Sequence, residues 1–151
     1  MKALIQRVSR ANVMVEGKEV SSMGKGMLVL LGVEKGDSEK EADFISRKLV
    51  NIRIFEDEAG KMNLSIKDIK GEMLVVSQFT LAADLKKGNR PSFDGAELPG
   101  RAEKMYKDLI RDLRKEGIAV QEGVFGAMMQ IGLVNDGPVT FMVESRAKDE
   151  T

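Results

Sequence analysis

The sequence predicts a single-domain α/β protein: a layered sandwich of a mixed, largely antiparallel and barrel-like β-sheet with two main helices. Three observations carry this. Short apolar stretches alternate or run unbroken from the first residues onward, as strands do. Two other stretches repeat their apolar residues at helical spacing. The 151 residues show no linker and no internal repeat, which suits one domain over 1–151 that buries roughly 70% of the surface its unfolded chain would expose.

Residues 3–8 and 13–15 read as strands, with Gly17-Lys18 turning the chain before Val20. Residues 27–31 are continuously apolar and suit a buried central strand. Ser38 followed three residues later by Glu41 forms a capping box, and Ala42, Ile45 and Leu49 recur at helical spacing, so a helix is expected over 38–50. Extended structure resumes over 52–55, and Asp57-Glu58-Ala59-Gly60 turns the chain. Residues 73–77 form a second buried strand. The second helix follows Pro99, carries Ala102, Met105, Tyr106, Leu109, Ile110 and Leu113 on one stripe, and stops at Gly117. Strands over 119–121, 129–134 and 139–143 complete the sheet, leaving 147–151 as a polar tail expected to fray.

Composition excludes several chemistries. There is no histidine and no cysteine, which removes Ser-His-Asp triads, thiolate nucleophiles, disulfides and zinc sites of the usual kind. No metal or organic cofactor is called for. The opening residues are interrupted too early for a signal peptide and no stretch approaches a membrane span, so a cytoplasmic protein without membrane attachment is expected. The 24 basic and 24 acidic side chains cancel, so any nucleic-acid contact must be local. Two basic groups qualify: Lys86, Lys87 and Arg90, and a helical strip from Arg101 through Lys115, interrupted by Asp108 and Asp112.

Some motifs carry little. Gly24-Lys25-Gly26 lacks the spacing of a phosphate loop and leads into a strand, so it reads as a glycine turn. The acidic run Glu56-Asp57-Glu58 lacks the alternating ligands of a calcium loop and reads as an exposed hairpin. The ten methionines are dispersed and suit gaps in the core.

Two segments are more informative. Ser77-Gln78-Phe79-Thr80-Leu81 follows an apolar strand. If the strand continues, Ser77 and Phe79 face one way and Gln78 and Thr80 the other. If it ends or bulges there, successive backbone N–H groups leave the ladder and can point into a cleft as an oxyanion hole. In Asn135-Asp136-Gly137-Pro138-Val139-Thr140, the Gly-Pro pair permits a cis bond at a cost of about 0.5–1 kcal/mol. From the residues alone, a trans turn between two strands is the default.

With Gln6-Arg7-Val8, Gly32-Val33-Glu34, Gly60-Lys61-Met62-Asn63, Arg90-Pro91-Ser92-Phe93 and Phe125-Gly126-Ala127, these segments make the chain resemble the D-aminoacyl-tRNA deacylases over nearly its whole length. It departs from the family at Met128, where an aspartate is common, and at Leu85, in a stretch usually more polar. The resemblance implies an editing hydrolase that frees D-amino acids from tRNA and also acts on glycyl-tRNA mischarged on tRNA-Ala. It further implies a homodimer in which Gly137-Pro138, braced by Arg7, reaches into the partner's pocket and rejects L-residues.

By the same resemblance, Ser77, Gln78, Phe79 and Thr80 form the catalytic segment, with backbone N–H groups around Gln78 and Phe79 as oxyanion donors. Phe125 and Met129 line the adenosine and aminoacyl pocket. Thr80 is a poor nucleophile without a base, so the tRNA ribose hydroxyl is expected to assist the attack of water. The competing readings are a non-catalytic nucleic-acid-binding dimer and a small-molecule esterase that needs no RNA.

Overall fold

Strand β1 (Lys2–Val15) organises the sheet, because at fourteen residues it is long enough to serve three partners. Along one edge it pairs first with β3 (Gly26–Gly32) and then with β2 (Lys18–Met23); along the other it pairs with β8 (Gln130–Glu144), in each case antiparallel. The sequence predicts two strands here, separated over residues 9–12. The structure joins them, because β8 keeps pairing with Val8, Arg10, Ala11 and Asn12 while on the other edge β2 takes over from β3 at Ala11. The computed structural model describes residues 1–146, and the expected frayed tail lies outside them.

Strand β6 (Glu72–Ser77) pairs parallel with β3 and with β7 (Ala119–Glu122), which makes the sheet mixed. At Gly26 any Cβ would overlap the Glu72 carbonyl, so the glycine turn read from the sequence is what lets β6 lie against β3. The sheet curls until its far edges meet: the Ser21 hydroxyl of β2 donates to the Glu122 carbonyl of β7. Along β3 and β6 the buried residues therefore separate into two cores by parity, while β1 passes from one core to the other between Ile5 and Val8. Leu28, Leu74 and Val76 join Val8, Ala11 and Val13 in one, while Met27, Val29, Met73 and Val75 join the helices in the other.

Helix α1 (Glu39–Asn51) starts at the expected capping box, with the Ser38 N–H donating to Glu41 Oε2 at 2.7 Å. The Ser38 hydroxyl and backbone hydrogen bonds hold the Glu41 carboxyl down to about 2. Helix α2 (Pro99–Lys115) buries the whole predicted stripe and ends at Gly117, whose φ of +85° is the left-handed conformation that glycine adopts without a Cβ penalty. Residues 52–54 are extended but unpaired. Strand β4 (Phe55–Glu56) instead pairs with β5 (Met62–Leu64) in the expected exposed acidic hairpin. Among the described residues no helix is long and apolar enough to cross a membrane.

One buried ionic cluster is invisible to pattern reading. The α-ammonium of Met1 donates to Asp37 Oδ1 at 2.9 Å and to the Ser145 hydroxyl at 2.8 Å, and lies 3.1 Å from Glu34. Asp37 is fully buried and also accepts from the Glu34 N–H and from Arg146, each at 2.7 Å. This joins the start of β1, the turn after β3 and the end of β8.

Candidate active site

The site is built where β6 stops. Gln78 N–H makes the last ladder bond, to the Leu31 carbonyl at 2.8 Å, and the chain then leaves the sheet and winds into a 3-10 turn, Phe79–Ala82. The second of the two sequence alternatives is therefore the one the fold adopts. Gly32 makes room for it: a Cβ there would stand 2.9 Å from Leu81 Cβ and 3.1 Å from the Gln78 carbonyl.

Among the described residues, no group accepts a hydrogen bond from the N–H of Phe79 or of Thr80. These two are the open donors. The N–H of Gln78, expected to help, is occupied by the ladder.

Next to this turn lies a cavity of about 730 Å³, within the range of small-ligand sites. Ser77, Gln78 and Phe79 line one side, and Phe125 and Met129 another, so five of the nine expected site residues share one space. Phe125 packs toward Tyr106 of α2 at 6.0 Å, and the Tyr106 hydroxyl donates to the Val75 carbonyl at 2.7 Å. Burial pushes the Tyr106 phenol well above its ordinary pKa and keeps it a neutral donor. Lys35, Phe93 and Leu98 also line the cavity and were missed as site residues. They come from loops that only tertiary packing brings to β6.

Thr80 is exposed and does not line the cavity. Its hydroxyl accepts from the Gln78 side-chain amide. An amide N–H is a donor and cannot take a proton, so this contact does not activate the hydroxyl.

Arg7, Gly137 and Pro138 form a separate group. Between the pairs Gln6–Thr140 and Val8–Asn135, β1 has one residue and β8 has four, so 136–139 stand out of the ladder as an extended bulge. The Gly137-Pro138 bond is cis, and β8 runs through the segment where the sequence predicts a turn between two strands.

Arg7 is 5% exposed; its Nε donates to the Asp136 carbonyl and its Nη1 to the Ile54 carbonyl, both at 2.8 Å. Asn135 spans the bulge: its Oδ1 accepts from Val139 N–H at 2.7 Å and its Nδ2 donates to Thr140 Oγ1 at 3.1 Å. That role could have been suspected, since asparagine side chains commonly bond neighbouring backbone in turns. Gly137 and Pro138 are exposed and do not line the cavity of their own chain.

The family model described as D-Tyr-tRNA(Tyr) deacylase matches residues 4–144. The chain belongs to the D-Tyr-tRNA(Tyr) deacylase family. A D-aminoacyl-tRNA deacylase of Thermodesulfovibrio yellowstonii is 56% identical over 146 residues, covering 97% of this chain and 100% of the relative. One of Magnetococcus marinus is 59% identical, covering 95% and 96%.

Among solved structures, that of a c-Myc DNA Unwinding Element Binding Protein matches with a TM-score of 0.92 and 45% identity, covering 97% of this chain and 100% of that one. A probable eukaryotic D-amino acid tRNA deacylase matches with a TM-score of 0.76 and 17% identity over 95% and 98%, a likeness of fold. Membership of the deacylase family makes the chain a hydrolase.

Proposed function

We propose that the chain is a cytoplasmic editing hydrolase that cleaves the ester between a D-amino acid, or a glycine mischarged on tRNA-Ala, and the terminal adenosine of tRNA. The observation that carries the reading is the free N–H pair of Phe79 and Thr80 just past the end of β6, beside a cavity whose carboxylates, Asp94 and Glu97, make no hydrogen bond to the Ser77 or Thr80 hydroxyl among the described residues. Such a site stabilises the developing oxyanion and leaves activation of water to the substrate. Ser77 and Gln78 shape the wall, and Phe125 and Met129 receive the adenosine and the aminoacyl group. No cofactor enters the reaction.

The protein acts as a homodimer. Strand β8 pairs only with β1 among the described residues, and Leu133, Val134, Phe141 and Met142 are each 37–45% exposed along it. A long apolar edge of this kind is a surface for strand or face pairing with another copy. Gly137 and Pro138 enter the partner's cavity and crowd the side chain of an L-residue; in support, they stand out of the same strand and are fixed by Arg7 and Asn135. Rejecting one enantiomer by steric conflict suits a pocket that must accept many D-side chains.

Deacylation of D- and L-tyrosyl-tRNA by the purified protein tests the activity: D-tyrosine is released and the L-ester is spared. Equal rates on the two esters would overturn the chiral selection, and binding of both RNAs without cleavage would favour the non-catalytic reading, in keeping with the DNA-binding name of the 45% identical protein. Sedimentation under the assay conditions tests the assembly. A dimer is expected, and a fully active monomer would refute the cross-subunit role of Gly137-Pro138.

A further inference from the structure

The two basic stretches that stand out in the sequence have different electrostatic fates. On α2, Arg101 pairs with Glu97 at 2.6 Å, Lys104 with Asp108 at 2.8 Å, Lys107 with Glu122 at 2.5 Å and Arg111 with Asp108 at 3.2 Å. Arg114 lies 3.4 Å from Glu122 and donates to the Val120 carbonyl at 2.9 Å. The helical strip that looks like a phosphate track in the sequence is thus largely neutralised by its own protein. By contrast, Lys86, Lys87 and Arg90 are exposed, and among the described residues none of them forms a salt bridge.

These three sit on a loop tied to the site. Asp84 and Ser92 exchange two backbone hydrogen bonds, 2.8 and 2.9 Å, which close its base, and the Asp84 carboxylate accepts from the Lys86 N–H at 2.8 Å. Phe93 meets Phe79 edge-on with ring centroids 5.1 Å apart, and both Phe93 and Asp94 line the cavity. Asp84 and Asp94 are the carboxylates of this segment, at its base, with the cations between them. Arg90 is three residues from Phe93, a chain reach of at most about 11 Å.

Through Phe93 and Asp94 the loop forms one rim of the cavity, an exit for the phosphodiester chain of an ester held inside. A cation already paired with a carboxylate gains little from a phosphate, whereas a free one releases condensed counterions and adds to affinity. We propose that Lys86, Lys87 and Arg90 hold the phosphates of the nucleotides immediately preceding the terminal adenosine, and that α2 does not contact the RNA. The assignment rests on the reading that the substrate is an RNA-linked ester.

The test compares Lys86→Ala/Lys87→Ala/Arg90→Ala with a charge-matched control, Lys104→Ala/Arg111→Ala/Lys115→Ala, on three probes. These are D-tyrosyl-tRNA, uncharged tRNA and D-tyrosyl-adenosine, which has no phosphate. The loop variant is expected to lose about 2 from the slope of log(kcat/KM) or log affinity against log salt for the two RNAs, at about 0.7 per single-strand contact. Between about 50 and 200 mM salt, wild type then loses roughly 20-fold more affinity than the variant. Hydrolysis of D-tyrosyl-adenosine stays at the wild-type rate, and the helix control follows wild type on all three probes.

An unchanged slope in the loop variant, an equal slope loss in the helix control, or a parallel loss on D-tyrosyl-adenosine would each overturn the assignment. Wild-type protein that binds tRNA without cleaving the D-ester would speak against the hydrolytic reading, and the slope for uncharged tRNA would still decide the loop.

Discussion

Removing the 2′-hydroxyl of the terminal adenosine, with the D-amino acid on the 3′ position, is expected to slow deacylation by about 100- to 10,000-fold, the range that a positioned acid or base supplies. Thr80→Ala is expected to stay within about tenfold of wild type, since the hydrogen bond it loses is between neutral groups and worth about 0.5–1.5 kcal/mol. The contrast follows from what each hydroxyl touches. Thr80 accepts from the Gln78 amide, is exposed, and has no carboxylate, lysine or histidine as a partner for its proton.

In the proposed mechanism the protein's own contribution is the N–H pair of Phe79 and Thr80, which Thr80→Ala leaves in place; losing one such donor typically costs about 100- to 1000-fold. Single-turnover deacylation of matched ribose and deoxyribose substrates separates the two sources. A dead alanine variant with a normally reactive deoxy substrate, or an acyl-Thr80 adduct trapped by rapid-quench mass spectrometry, would make Thr80 the nucleophile.

The second large effect concerns stability. Asp37→Ala is expected to destabilise the fold by about 3–5 kcal/mol, the range for removing one partner of a buried ion pair. Since domains are typically stable by only about 5–15 kcal/mol, this is a substantial fraction of the total. Asp37 is fully buried and compensates the Met1 ammonium and Arg146 at once, so its removal leaves the buried ammonium with the partly exposed Glu34 as its remaining counter-charge. Equilibrium urea unfolding of the variant measures the loss. A change below about 1 kcal/mol, within the ordinary range for a surface pair, would show that water reaches the cluster.

Legibility in the sequence followed the range of the interaction. The helices were readable from local patterns: the Ser38–Glu41 box and the α2 stripe ending at Gly117 need only neighbours within a few residues. Strand continuity was not, because whether residues 9–12 stay in a ladder depends on β2 and β8, and whether 135–139 form a turn or a bulge depends on Arg7.

Residues 77–81 stand out in the sequence as a segment, yet which of their N–H groups are open is decided only by the fold, in which Leu31 takes the one from Gln78. Lys35 and Leu98 reach the cavity through loops whose packing no short-range pattern encodes. Asp37, beside a glycine and before a helix cap, reads as an ordinary surface turn residue. Nothing local distinguishes a carboxylate destined for the interior.

The sealed amine of Met1 also has a reagent's-eye meaning. Its nitrogen is enclosed by Asp37, Glu34 and Ser145, and Met1 itself is fully buried. An acylating probe added to the native chain therefore meets exposed lysines such as Lys86 and Lys87 and passes over the first residue, although an α-amine is intrinsically the weaker base and the readier target near neutral pH. The first residue becomes reactive only when the cluster opens. Its labelling is thus a built-in clock for opening events, kept at the far end of the chain from the tail and read by peptide mass.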